Sequence, residues 1–402
     1  MNILYLYEMP FIDGFGGTET YLRQMVYGLK ERGHNPIVVY PIFNSKEKHL
    51  LSGIECYPLL IEGSNTYQGK VIDFIELLKQ NLPEIVSKYK IDCVHITFGW
   101  YLLSKLDYTF FKTHQIKVVA TIHNVPPQEH SYTFPGDKIS YRIRGLIKYI
   151  GRVVLSLIDI IRLDRYVEIV VPCENVKKRL RHYGCRNRIH IINHGYNTQI
   201  DVAESRKEKE HQNGKFEILC VAGVARGKNQ QLLIDVMAEI HNKEQYTVHL
   251  VGNIQRCYGY YLYLQDKIKR ENLSNIFVFH PSCPDEELGF LYRTCDLYVQ
   301  PSKDEGFCLA ALDAAAYGMP VIGSDVGEIA NIAKISGGKV IRFNNRKEFR
   351  KAIEFYYNDR TQIINNSSIV RKQYNWNKSL AELISVFSDV KLESCGKRYD
   401  EN

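Results

Sequence analysis

The chain has ten cysteines but no Cys-x-x-Cys pair, no Asp-x-Asp motif, and no apolar run reaching the roughly 18 residues of a membrane-spanning helix. Scattered cysteines supply neither a disulfide framework nor a zinc site, and they read as the reduced thiols of a cytoplasmic protein. Without Asp-x-Asp, no essential metal is expected. The opening run Met1-Asn2-Ile3-Leu4-Tyr5-Leu6-Tyr7 meets Glu8 at once and has no basic start, so it does not read as a secretory signal.

The 402 residues are 45% apolar and 24% charged, the composition of a soluble globular chain long enough for two or three domains. The net charge of +7 is unevenly placed: residues 138–188 hold 13 Lys or Arg against 4 Asp or Glu, a local excess of +9. That excess points to an anionic partner, either a membrane surface or a polyanionic acceptor, or else to a solvated basic helix face. Within segment 138–161, Ile139, Ile143, Ile147, Ile150, Val154 and Ile158 interleave with Lys138, Arg142, Arg144, Lys148 and Arg152. Such a segment either lies in a membrane interface or packs its apolar side on the core. No aromatic-interleaved groove or helix-turn-helix pattern accompanies it, so no nucleic-acid partner is expected.

Hydrophobic periodicity alternates between strand and helix. Strands are predicted at Ile3–Tyr7, Pro36–Tyr40, Cys93–Thr97, Val118–His123, 168–172 and 189–193. Phe15-Gly16-Gly17 reads as a turn, with Thr18 as a helix cap ahead of a helix over 19–31. A further helix is predicted over 71–89, broken at Pro83. Residues 204–214 are a charged linker. A second series follows: strand Phe216–Val221, helix 229–241, strand Thr247–Val251, helix 260–271, strands 276–279 and 297–300, helix 307–317 and strand 321–324. A helical tail begins at Trp376. Two α/β domains with parallel sheets, and a ligand cleft between them, are the expectation.

Several residues stand where chemistry is done in such folds. Gly16-Gly17 follow the first strand, where backbone can approach a phosphate; a tight turn is the plainer reading. His123 ends an apolar strand, on the side where open α/β sheets bind ligands, although a lone histidine is more often structural. Arg226-Gly227-Lys228 put two cations at the start of a helix, suited to a diphosphate or simply solvated. The strongest signal is Glu305-Gly-Phe-Cys-Leu-Ala-Ala-Leu-Asp313. Amides of Phe307, Cys308 and Leu309 at a helix start favour an anion. Asp313 lies roughly 12 Å further along a helical rise and about 80° around from Glu305. One elongated ligand can then touch both carboxylates, and a nucleotide diphosphate sugar has that shape.

The run Glu305 to Asp313 followed by Gly318-Met-Pro-Val-Ile resembles the hallmark of retaining glycosyltransferases of family 4: Glu, seven residues, Glu, then Gly-x-Pro-Val-Ile. Gly16-Gly17-Thr18-Glu19, Thr121-Ile-His123-Asn124, Val171 to Leu180 and Ile191 to Asn197 resemble other family segments, in the family order. The resemblance implies the GT-B architecture, two facing Rossmann-like domains: residues 1–205 binding the acceptor, residues 206–375 binding the donor, and a final helix, about 376–392, crossing back to the first. It implies a metal-independent hexosyltransferase without a cofactor, its donor a nucleotide diphosphate sugar, a UDP-sugar ahead of a GDP-sugar. With the basic first domain, the resemblance also implies a glycan or lipid-linked acceptor at the inner face of the membrane. Glu305 would hold the sugar hydroxyls, Asp313 the ribose, and Lys228 with Arg226 the leaving diphosphate. Gly17 would approach the phosphate, His123 the sugar, and the amides of Phe307, Cys308 and Leu309 the diphosphate or sugar. Two positions depart: Asp313 replaces the second Glu, and Val224 stands where the family has an arginine. Rival expectations are a GT-B phosphorylase or sugar-phosphate synthase, and a non-catalytic binding protein of the same fold.

Overall fold

The computed structural model describes residues 1–8, 16–43, 51–63, 66–125, 139–197, 214–281 and 283–389. Phe15, Lys138, the linker as far as 213 and the tail beyond Asp389 lie outside them.

Seven strands, β1 (Asn2–Tyr7), β2 (Asn35–Ile42), β3 (Glu55–Leu60), β4 (Cys93–Phe98), β5 (Lys117–Thr121), β6 (Val167–Val171) and β7 (Ile189–Ile191), form one sheet in the order β3-β2-β1-β4-β5-β6-β7. Six more, β8 (Phe216–Val221), β9 (Tyr246–Val251), β10 (Phe277–His280), β11 (Leu297–Gln300), β12 (Val321–Ser324) and β13 (Lys339–Ile341), form a second in the order β10-β9-β8-β11-β12-β13. Every neighbouring pair is parallel. Parallel strands covered on both faces need apolar runs, and Ile3–Tyr7 and Ile218–Cys220 supply them.

Strand order reverses between β1 and β4 in the first sheet and between β8 and β11 in the second. Such switch points open a crevice at the carboxyl ends of the strands. The loops leaving β1, β8 and β11 carry Gly16-Gly17, Arg226-Gly227-Lys228 and the 301–308 segment respectively.

Three local expectations change. The first helix spans Gly17–Glu31 with Gly16 as its cap, so Thr18 lies inside the first turn. Helix Tyr67–Tyr89 runs unbroken through Pro83. Pro83 is exposed while Leu78, Leu82 and Ile85 are buried, and their burial at about 1.5–3 kcal/mol each outweighs a proline penalty of about 3 kcal/mol. The helix after Glu305 begins at Leu309, two residues later than its apolar pattern suggests, because Cys308 takes a left-handed φ of 83° as its cap.

Helix Trp376–Ser388 packs Trp376, Leu380, Leu383 and Phe387 with Ile3, Tyr5, Leu22 and Met25 in the core of the first domain. Its far end is pinned: the Lys117 ammonium donates to the carbonyls of Val386 and Asp389, and Arg188 pairs with Asp389 at 3.0 Å.

Candidate active site

The second domain builds its half of the site from β11 outward. Alternate residues Tyr298, Gln300 and Ser302 are buried and polar, an arrangement that requires partners. They satisfy one another in a line. The Tyr298 hydroxyl lies 2.7 Å from Gln300 Oε1, Gln300 Nε2 donates to Ser302 Oγ at 2.7 Å, and Ser302 Oγ donates to Glu305 Oε1 at 2.7 Å. Glu305 is 7% exposed. Both of its oxygens accept from Lys228 Nζ at 2.8 Å. Lys228 comes from the turn Arg226–Lys228, held in place by Lys303 N donating to the Gly227 carbonyl at 2.8 Å and by Asn229 Nδ2 donating to Pro301 and Phe343 carbonyls. Lys303 joins Arg226 in the same cationic group; burial, and then Arg226, push its ammonium below the usual lysine range. Val224 is buried in the second domain's core, so its side chain contributes nothing polar.

Asp313 lies on the helix Leu309–Ala316 and accepts from the Asn197 amide at 2.8 Å. Burial raises its carboxyl to about 7, and the Asn197 bond offsets this only in part.

The first domain supplies a histidine pair. His123 Nε2 lies 2.8 Å from the Thr97 carbonyl, which only accepts, so Nε2 carries the proton. His123 Nδ1 therefore accepts from His194 Nε2 at 3.3 Å. The remaining nitrogen of His194, Nδ1, is buried without a partner among the described residues. Burial lowers His123 to about 4 and holds His194 well below the usual histidine range, so both rings are neutral near pH 7. His194 packs against Trp376, Tyr21 and Phe307, with ring centroids 5.5, 5.0 and 4.8 Å apart. In this arrangement both His123 nitrogens are engaged within the protein, and the backbone carbonyl of His123 lies against Gly306.

The two halves meet at that glycine. A Cβ on Gly306 would fall 1.9 Å from the His123 carbonyl oxygen, so only glycine permits the approach. The Gly306 carbonyl accepts from Cys173 Sγ at 3.1 Å. Beside it, Asp304 pairs with Arg179 at 2.7 Å and accepts from Asn124 Nδ2 at 3.2 Å, while Arg179 also donates to the Val125 carbonyl at 3.1 Å. Gly17 closes on the helix start, where its Cβ position is 3.5 Å from Leu309 Cδ1.

The structure thus brings Lys228 and Glu305 into direct contact, and gathers Gly17, His123 and the 305–309 loop at one domain junction. Asp313 sits on the same helix, against Asn197. Arg179, Asp304, Lys303 and the Tyr298-Gln300-Ser302 line were not singled out from sequence. Polar residues at alternate positions of an otherwise apolar strand were the available signal.

The sequence profile of the glycosyltransferase family 4 domain matches residues 15–200, and that of glycosyl transferases group 1 matches residues 201–391. An uncharacterized glycosyltransferase of Methanocaldococcus jannaschii is 25% identical over 375 residues, covering 88% of this chain and 97% of the relative. Among solved structures, sucrose-phosphate synthase from Thermosynechococcus elongatus superposes with a TM-score of 0.76 at 18% identity, over 96% of this chain and 98% of that one. HepE of Anabaena, in complex with UDP and glucose, superposes with a TM-score of 0.72 at 16% identity, over 97% and 100%. With two parallel-sheet domains facing one another across Gly306 and the two profiles together matching residues 15–391, the chain belongs to the GT-B glycosyltransferases of family 4, the glycosyl transferases group 1.

Proposed function

We propose that this glycosyltransferase transfers a hexose from a UDP-sugar, with retention at the anomeric carbon and without a metal ion, to a glycan or lipid-linked acceptor in cell-surface polysaccharide or glycoconjugate synthesis. The observation that carries the reading is the buried Glu305 carboxylate held by the half-buried Lys228, backed by the Tyr298-Gln300-Ser302 line. A carboxylate held this rigidly can fix sugar hydroxyls, and the cations beside it can take up the charge of a leaving diphosphate.

In this mechanism the diphosphate meets Lys228, Arg226 and Lys303, together with the amides of helix Leu309–Ala316 and its approach through Phe307 and Cys308. Those groups supply the positive charge that a divalent cation would otherwise bring. Asp313 accepts from the ribose hydroxyls, the Gly16-Gly17 turn closes over the phosphates from the other domain, and His123 borders the sugar from the domain junction. No side chain on the donor's far face is assigned as a nucleophile, so the acceptor hydroxyl attacks from the side the diphosphate leaves: the bond from the anomeric carbon to the diphosphate breaks, the bond to the acceptor oxygen forms, and the hydroxyl proton passes to the departing diphosphate oxygen. HepE, of the same fold, was solved with UDP and glucose, which favours a uridine donor for this chain.

The test is release of nucleotide diphosphate from a panel of UDP-, GDP- and ADP-sugars, with Glu305→Ala as control. Release from a UDP-sugar that disappears in the variant is expected. Release from another donor alone removes the uridine assignment, and an inverted anomer in the product by NMR removes retention.

A further inference from the structure

The basic amphipathic segment forms a 23-residue helix, Ile139–Ile161, in the connection between β5 and β6. One side of it is anchored. Ile160 is 1% exposed, Ser156 and Leu163 are buried, and Asp159 and Asp164 are tied to Lys105 and Lys112 at 3.2 and 2.6 Å. The other side is uncovered. Ile143, Leu146, Ile147, Ile150, Val154 and Ile161 are each between 48 and 65% exposed. Their spacings of three, four and seven residues put them on one stripe of the helix, a run of aliphatic side chains that soluble surfaces rarely show.

Charge identifies what covers the stripe. Of the four acidic residues in 138–188, Asp159, Asp164 and Glu168 are paired with lysine, arginine or histidine. The exposed cations Arg162, Arg165, Arg181 and Arg186 follow the helix. The turn that follows the helix Glu174–His182, which carries Arg181, lies against its end, where a Cβ on Gly184 would sit 3.3 Å from Ile161. An apolar stripe beside a net positive surface complements an anionic lipid bilayer, whereas a second copy of the same surface would bring like charges together. No helix among the described residues is long and apolar enough to cross a membrane, so the match is to the interfacial plane.

We infer that helix Ile139–Ile161 docks the first domain onto an anionic membrane surface by sinking its Ile143–Ile161 stripe below the headgroups. Topology gives the docking a direction. β5 ends toward the cleft and β6 starts at the opposite end of the sheet, so the helix runs away from the cleft and its first turns lie nearest His123. A lipid-linked acceptor held in that bilayer would enter the cleft from the docked side.

The experiment is co-sedimentation of the full chain with phosphatidylcholine vesicles, with and without phosphatidylglycerol. Binding to the anionic vesicles, weakened by salt, is expected. Ile147→Glu with Ile150→Glu removes two exposed aliphatic side chains that the docked helix would sink into the bilayer, and should weaken partitioning about a hundredfold. Arg142→Ala, Arg144→Ala and Lys148→Ala together should weaken it on the order of a hundredfold on anionic vesicles alone. Near-UV circular dichroism and thermal stabilisation by UDP report whether the variants fold. Wild-type chain left in the supernatant overturns the inference, as does equal binding by the Ile147→Glu, Ile150→Glu variant. A dimer in sedimentation velocity that this variant dissociates assigns the stripe to a second copy, and overturns it too. Vesicle binding without any response to UDP leaves this inference standing and refutes the uridine donor.

Discussion

Replacing Gly306 by alanine tests whether the observed domain contact is the working one. The new Cβ would lie 1.9 Å from the His123 carbonyl oxygen, where ordinary contact starts at 3.4 Å, so the two must separate by about 1.5 Å. Neither partner is a flexible side chain. His123 is fixed by Thr97 and His194, and the Gly306 carbonyl is held by Cys173. The displacement therefore goes into the domain junction, next to Glu305. A misplacement of about 1 Å at a reacting centre costs about a hundredfold in rate, so kcat/KM should fall by about that factor, roughly 2.7 kcal/mol of transition-state stabilisation. UDP affinity, which rests mostly on the second domain, should change little. The assay is initial rate of nucleotide diphosphate release with acceptor present, beside calorimetric UDP binding. Wild-type kcat/KM in Gly306→Ala would refute the reasoning, because it would mean that transfer does not pass through this contact.

Three further outcomes follow from the same geometry. Asp313 titrates near 7 because burial favours its neutral acid, so UDP binding should tighten as pH rises through about 7, and Asp313→Asn should abolish that dependence in calorimetry. For the unliganded chain the sign is opposite: this group's stabilisation is full below 3.8 and lost as pH climbs through about 7. Lys228→Ala strands a buried Glu305 carboxylate and should lower unfolding free energy by about 3 kcal/mol in urea titrations, whereas adding Glu305→Gln should restore most of the stability and none of the transfer. His123, lowered from 6.5 to about 4, stabilises the fold above pH 6.5 and loses that contribution as pH falls toward 4; the acid-side drop in Tm should be shallower in His123→Gln.

What the sequence made legible was what leaves a local trace. Apolar runs at Ile3–Tyr7 and Ile218–Val221 announce strands buried on both faces, and two such series announce two parallel sheets. The spacing from Glu305 to Asp313 marks the loop and helix of the candidate site. Long-range pairing leaves no such trace. Arg179 and Asp304 are 125 residues apart, and neither stands out from ordinary surface charge until the domains face one another. Edge strand β3 was missed because Pro58 and a charged start disguise it, although an edge tolerates a proline that a central strand would not. Histidine tautomers are equally invisible: that His123 spends both nitrogens inside its own domain follows only from where Thr97 and His194 fall.

The returning helix Trp376–Ser388 has a consequence for how the chain assembles during synthesis. Trp376, Leu383 and Phe387 complete the first domain's interior, yet a ribosome adds them only after all of β8 to β13. Until then the faces of Ile3, Tyr5 and Leu22 that these residues cover stay wet. The usual order, in which the amino-terminal unit folds as it emerges, is therefore reversed in part. The second sheet can close while the first is still incomplete, and the two ends of translation must meet before the catalytic cleft has both its walls.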